Sequence, residues 1–409
     1  MAASLLAREV SDLCLGKPAL RSLSVSATVG DALTTLKRSR DNYISFWNCN
    51  HGHFSEVDKV DADAVAALDD CRCVGKVCVA DIIGFLCKEE NLSNPGIALQ
   101  APVSVLIPKT GDFVRHLESN ASLVEAMDLI LEGVQNIVIP MEIGGKNSRK
   151  KLLQNNLSKS TFHNGRQYCW LTQEDMVRYL VNSISLFSSA AVNPINSLDI
   201  INVQDIPAVH YDDPASSALP LLAKCLEMQT SIAIIDGDGK LIGELSPYKL
   251  NSCDEDVAAA IATLSAGELM AYIDFGGPPE DLIQLVKERL QERKLVKALE
   301  LMEDDSGNSS VSSSCSSSSD DEFGVGRSVV KSVGNSARSV KRSEAIVCHP
   351  WSSLVAVMIQ ALAHRINYVW VVEEDRTLFG IVTFAGMMKI FRETIEDHDL
   401  GKALKKSPT

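Results

Sequence analysis

Gly75-Lys-Val-Cys78-Val-Ala-Asp81 decides how this chain is read, because its pattern returns three more times. The later copies are Cys169-Trp-Leu-Thr172-Gln-Glu-Asp175, Gly243-Glu-Leu-Ser246-Pro-Tyr-Lys249 and Gly380-Ile-Val-Thr383-Phe-Ala-Gly386. The template is a glycine, two residues, a small hydroxyl or thiol, two more residues, and then often Asp. An apolar run follows, such as Ile82-Ile83 or Met387-Met388, so each copy reads as a strand running into a helix. A hydroxyl or carboxylate at such a junction caps the free amides of the helix start.

Upstream, the copies continue to match. Thr28-Val-Gly-Asp31 and Ser122-Leu-Val-Glu125 place a hydroxyl three residues before a carboxylate. That spacing predicts a capping box, most fully in the second copy, where Glu is the usual partner. Ser353 occupies the matching place in the fourth copy, and Asp213-Pro214 offers a cap and a helix-opening proline in the third. Apolar residues then recur at helical spacing: Ala32, Leu33 and Leu36; Ala126, Met127 and Ile130; Leu354, Val357 and Met358. Next come short β-branched and aromatic runs of strand length, at Tyr43–Trp47, Asn136–Ile139, Ser231–Ile235 and Tyr368–Val372. In the third copy the return is a hairpin through Asp236-Gly237-Asp238-Gly239. Thr28 and Ser122 are 94 residues apart, and so are Gly75 and Cys169, so two landmarks share one period.

The fold class is therefore α/β, built from four β-α-β-β-α repeats. One such unit has a sheet face that it cannot cover alone, so the repeats are expected to pair, 1–190 with each other and 195–409 with each other. The expected domains are repeats at 1–95, 105–190, 195–265 and 343–398, a helical insert at 266–302, and a disordered Ser-rich linker at 303–342. The insert holds a helix from Glu280 to about Met302, with Leu282, Val286 and Leu290 on an apolar face that packs on its own module. The linker is mostly serine from 306 to 319, then Asp320-Asp-Glu322, and then basic from Arg327 to Arg342, a composition that buries too little to order itself and offers serines for phosphorylation. Loop insertions also interrupt the first repeat, His51 to Asp70, and the second, at the basic run Gly144 to Lys151.

Bulk properties exclude several classes. The net charge of −14 disfavours nucleic-acid binding, which needs clustered Lys and Arg. No apolar run approaches the roughly 20 residues of a membrane span, and the start turns charged at Arg8 and Glu9, too soon for a signal peptide. A cytoplasmic chain, with the nucleus open to it, is expected. The eleven cysteines form no disulfide framework. Cys49, His51, His53, Cys71 and Cys73 gather soft ligands, but their spacing fits no standard finger, and no metal site is expected. His116, His210 and His349 each precede a repeat's first helix, where they read as surface groups or phosphate contacts. No phosphate loop, nucleophile elbow, HExxH or dinucleotide fingerprint occurs, so no enzyme is expected.

The repeated motif resembles the CBS domain, two of which form a Bateman module. Four in one chain resemble the γ regulatory subunits of AMP-activated and sucrose-nonfermenting-type kinases, and the plant four-repeat CBSX group most of all. The resemblance implies that the motif hydroxyl lies near ligand phosphate or ribose and that its Asp holds the ribose hydroxyls. Thr172 and Asp175 match at both positions; Asp81 matches beside Cys78; Ser246 and Thr383 match without the carboxylate, since Lys249 and Gly386 follow. It further implies a non-enzymatic regulatory or adaptor subunit with no cofactor. An adenosine nucleotide, AMP, ADP or ATP, would be its ligand, sensed through the N-terminal module. The partner would be a protein, a kinase complex among the candidates, and a homodimer stays open. The alternative is a ligand-free scaffold.

Overall fold

Among the described residues each repeat builds one three-stranded sheet, and the four sheets are separate. The computed structural model describes residues 8–39, 41–49, 71–107, 114–141, 162–274, 278–302 and 344–406. The loop insertions at 51–70 and 144–151, and the linker at 303–342 expected to be disordered, lie outside the described residues.

In the first repeat β1 (Ser22–Ser24) runs parallel to β2 (Ile44–Trp47), which pairs antiparallel with β3 (Cys73–Val77). The second repeats this with β4 (Val114–His116), β5 (Asn136–Pro140) and β6 (Tyr168–Leu171). The third uses β7 (Ala208–His210), β8 (Ile232–Ile235) and β9 (Leu241–Leu245), and the fourth β10 (Val347–Cys348), β11 (Tyr368–Val372) and β12 (Leu378–Thr383). A parallel pair needs a crossover, and the helices Val29–Ser39, Leu123–Leu131, Leu219–Met228 and Leu354–His364 supply it. β2, β5 and β11 are buried along their whole length, which explains their continuous apolar sequence.

The template glycine answers to crowding. A Cβ on Gly380 would stand 2.7 Å from Ile201 Cγ2 and 2.8 Å from the Asn202 carbonyl oxygen. Asn202 crosses there to bridge Ile381 through two backbone hydrogen bonds, of 2.9 and 3.0 Å. At Gly243 the near atom is Met270 Sδ, 2.4 Å from where its Cβ would be, on a flexible side chain that can give way more easily than the backbone at Gly380.

The caps correct part of the expectation. The reciprocal box is complete in the first repeat: Asp31 Oδ2 accepts from the Thr28 amide at 3.0 Å, and the Thr28 hydroxyl accepts from the Asp31 amide at 3.1 Å. In the second repeat Ser122 Oγ accepts from the Glu125 amide at 3.1 Å, and no return bond from Glu125 is present. Ser353 stands at its helix N-cap but makes no side-chain capping bond. The insert helix stops at Glu292, short of Met302, where Arg293 caps it and Lys294 turns left-handed at φ 59°.

Two kinds of packing hold the repeats together. Within each half, sheet meets sheet: Leu20, Trp47 and Cys73 of the first repeat close on Val138 and Tyr168 of the second, and Ala233 and Leu241 of the third on Tyr368, Trp370 and Val372 of the fourth. Between halves, helices meet helices. One core joins repeats 1 and 3, through residues such as Ile82, Ile83, Leu222 and Ala259; another joins repeats 2 and 4, through Met127, Val177, Val357 and Phe391. Polar bonds cross with them: the Ala80 amide donates to Asn251 Oδ1 at 3.0 Å, and Arg392 forks onto Asp128 at 2.6 and 3.2 Å. The insert helix Glu280–Glu292 buries Val286 and Leu290 in the first of these cores, against the helix Val257–Thr263, and the turn Val296–Met302 that follows packs on Pro95–Leu99 of repeat 1.

Candidate functional site

The four motif junctions share a fold position and differ in what their polar groups are doing. In the second repeat Thr172 caps the helix Gln173–Asn182. Asp175 Oδ2 accepts from the Thr172 amide at 2.8 Å and from its hydroxyl at 2.6 Å. Lys17 donates to the same oxygen and to the Trp170 carbonyl at 2.7 Å. That carboxylate oxygen is thus already held by a cap and a cation.

In the third repeat Ser246, buried, accepts from the Tyr248 amide at 3.2 Å, while Lys249 reaches Asp274 at 3.7 Å. In the fourth, Thr383 Oγ1 accepts from the Gly386 amide at 3.2 Å, and a Cβ on Gly386 would lie 3.5 Å from the Ile200 carbonyl oxygen.

The first repeat is different. Asp81 Oδ2 accepts from the Cys78 amide at 2.8 Å, and both residues line a cavity of about 480 Å³ where repeats 1, 2 and 3 meet. That volume falls among those of small-molecule pockets, about 300–1,000 Å³. Tyr43 and Tyr248 supply aromatic wall, and Gln135 a side-chain amide. Lys76 also lines it, its ammonium 4.1 Å from the Tyr43 ring centroid. Burial pushes the Lys76 ammonium down to about 8, against the opposing charges of Cys78 and Asp81. Burial pushes the Asp81 carboxyl up, against the Cys78 amide bond and the Lys76 charge. Thr230, 1% exposed, borders the same space with only the Cys225 thiol beside its hydroxyl. Thr172, Asp175, Ser246 and Thr383 do not line this cavity.

Sequence reasoning passed over Lys76, which sits inside the quoted heptapeptide. Its position gave no signal: it alternates with Gly75 and Val77, the spacing of an ordinary solvent-facing strand residue. Tyr43 and Tyr248 carry no sequence signal that separates them from core aromatics.

The three histidines part company. His116 accepts from the Cys73 amide at 3.2 Å, and burial lowers its proton affinity. His349 stacks on Trp351 and meets the Val372 carbonyl at 3.0 Å. His210 is exposed and gives its backbone amide to Asp213 at 3.1 Å.

Of the soft ligands, Cys49 and Cys71 come together with His163, which sequence reasoning did not consider, and Cys73 stays in β3. His51 and His53 lie outside the described residues. Among the described residues no helix is long and apolar enough to cross a membrane.

No protein-family model matches the chain. CBS domain-containing protein CBSX5 of Arabidopsis thaliana is 44% identical over 406 residues, 97% of this chain and 100% of that protein. SNF1-related protein kinase regulatory subunit gamma-like PV42b, from the same plant, is 20% identical over 95% of each chain. Among solved structures, protein MJ1225 of Methanocaldococcus jannaschii, described as a proposed archaeal homologue of g-AMPK, matches with TM-score 0.51 and 14% identity, covering 94% of this chain and 100% of that one. That likeness concerns the fold, and it agrees with four sheets of one connectivity. The repeated motif, the paired sheets and the 44% identity along the whole length lead to one conclusion: the chain belongs to the family of CBS domain-containing proteins.

Proposed function

We propose that the chain is a non-catalytic regulatory or adaptor subunit of the kinase γ type, which senses an adenosine ligand in the cavity beside Asp81. The observation that carries this reading is the contrast between the two motif carboxylates. Both carboxylates cap their own helix, Asp81 through the Cys78 amide and Asp175 through the Thr172 amide. Asp175 is also tied to Lys17, whereas Asp81 borders a cavity that also offers Lys76 and two tyrosines. A carboxylate accepts from two adjacent ribose hydroxyls, a cation meets phosphate, and aromatic rings pack on a base. The cavity touches three repeats, so ligand occupancy would bias how the two halves sit together, and a protein partner bound across both halves would sense the change. The γ-like relative supports a kinase complex as that partner.

Calorimetric titration with AMP, ADP, ATP and S-adenosylmethionine tests the reading. Asp81→Asn is expected to weaken nucleotide binding by about tenfold or more, the worth of one charged hydrogen bond, about 1.5–3 kcal/mol. Asp175→Asn is expected to change it little. The reverse order would move the ligand to the second repeat. No binding at millimolar nucleotide would leave the scaffold reading, which Lys249 and Gly386 favour in the C-terminal half because neither can accept a ribose hydroxyl through a carboxylate.

A further inference from the structure

We propose that Cys49, Cys71 and His163 form a zinc site that staples the first repeat to the second at the mouths of their loop insertions. The two thiol sulfurs each lie 3.3 Å from His163 Nδ1, and all three donor atoms fall within 4.8 Å of one another. Zinc bound tetrahedrally at its usual distances sets sulfur and nitrogen about 3.5 Å apart, so the cluster already has close to the right edge length. An imidazole lone pair accepts one thiol proton at a time. A cation replaces both protons and engages all three donors: two thiols bind as thiolates, two protons leave to solvent, and neutral His163 binds through Nδ1.

The surroundings fit the same chemistry. Ser22 Oγ lies 2.7 Å from His163 Nε2, the outer partner that leaves Nδ1 facing the thiols. The imidazole stacks on Trp47, with ring centroids 3.7 Å apart and planes 5° from parallel, which fixes its orientation. Cys71 and His163 are buried, and Cys49 is half-buried, which leaves an approach for the ion.

Position argues for a structural role. Cys49 and Cys71 flank the 51–70 insertion, and His163 follows the 142–161 segment that splits the second repeat. One ion here ties Cys49 to Cys71 across the first insertion and Cys71 to His163 across 92 positions, and such closure gains more as the span lengthens. The ligands are distant in sequence and come from two repeats, a pattern that no finger spacing describes. Three protein donors leave a fourth position for water or another ligand.

The test uses full-length protein purified under reducing conditions without chelators. Elemental analysis is expected to find about one zinc per chain, and Cys71→Ser and His163→Asn to lose it. Ser22→Ala, which touches no ligand atom, is expected to weaken zinc about tenfold or more in a competition assay, as loss of an outer partner does. Should the ligand variants fail to fold, Co²⁺ added to metal-depleted wild type decides. Intense tetrahedral absorption with a thiolate charge-transfer band supports the site. The weak spectrum of six-coordinate, oxygen-bound Co²⁺ overturns it. So does a reduced wild-type protein that takes up no zinc at saturation.

Discussion

The two sheet-to-sheet seams occupy equivalent places in the two halves and are built from opposite chemistry. In the C-terminal seam one buried carboxylate, Glu244, accepts from the Tyr368 hydroxyl at 2.9 Å and the Trp370 indole at 2.7 Å. In the N-terminal seam thiols and imidazoles surround Trp47, with His163 stacked on it and His116 edge-on at 5.6 Å. The first arrangement is complete from the chain's own donors. The second gathers soft donors that an ion can use. A fold position held in common therefore fixes the packing and leaves the chemistry free to diverge.

The largest effect belongs to the completed seam. Glu244→Leu is expected to destabilise the protein by about 3 kcal/mol, since two buried donors lose their acceptor. Glu244→Gln, which keeps a carbonyl oxygen, should cost less. Urea unfolding measures both, and a cost near zero for both would show that the carboxylate is no more than filler.

Next comes the metal contrast. A chelator is expected to lower the stability of the wild type by up to about 2.7 kcal/mol, the linkage value at a hundredfold excess of ion over its dissociation constant. Glu244→Gln should show the same chelator shift, and Cys49→Ser none. A shift that persisted in Cys49→Ser would erase the difference between the seams.

A smaller effect separates the two motif carboxylates. Lys17→Met removes the cation from Asp175, where both partners are about one-fifth exposed. We expect a loss of about 1 kcal/mol in thermal or urea unfolding, because so accessible a pair is partly screened. Nucleotide affinity should stay unchanged if Asp81 carries the ligand.

A further contrast is a pH dependence. Lys76 is held down at about 8, below its ordinary value of 10.5, so the folded protein sheds this proton first. Between those values the unfolded chain binds more protons, and this group's contribution to stability rises with pH. Affinity for an anionic ligand should move the other way, falling as pH climbs through 8, and Lys76→Met should flatten that fall in titrations at several pH values.

Much of this was legible in sequence. The heptapeptide located the last strand and the following helix of each repeat, and a 94-residue period tied the first two repeats together, because apolar runs and cap residues sit at the same offsets. The opening strands were not placed: Ser22-Leu-Ser24 and Val347-Cys348 are too short to show a period of two, and parallel pairing alone defines them. The cap on Ser122 was read as the fuller box from residue type, yet Asp31 closes its box and Glu125 does not. The candidate ligand site was half visible. Asp81 and Asp175 look alike in the motif, and only the partnership of Asp175 with Lys17, 158 positions away, tells them apart. His163 belongs to no local pattern and joins Cys49 across 114 positions.

The pairing of helices across the two halves has a consequence for synthesis. Ile82 and Ile83 rest against residues near Leu222 and Ala259, so the first repeat's helical face has no mate until the third repeat has been made. At ribosomal speeds that wait is on the order of ten seconds. During it, an apolar face as wide as two helices is open to chaperones, to other nascent chains, or to a second copy of itself. Translation rate through the segment between the halves thus becomes a variable in the yield of native protein, one that no equilibrium measurement would reveal.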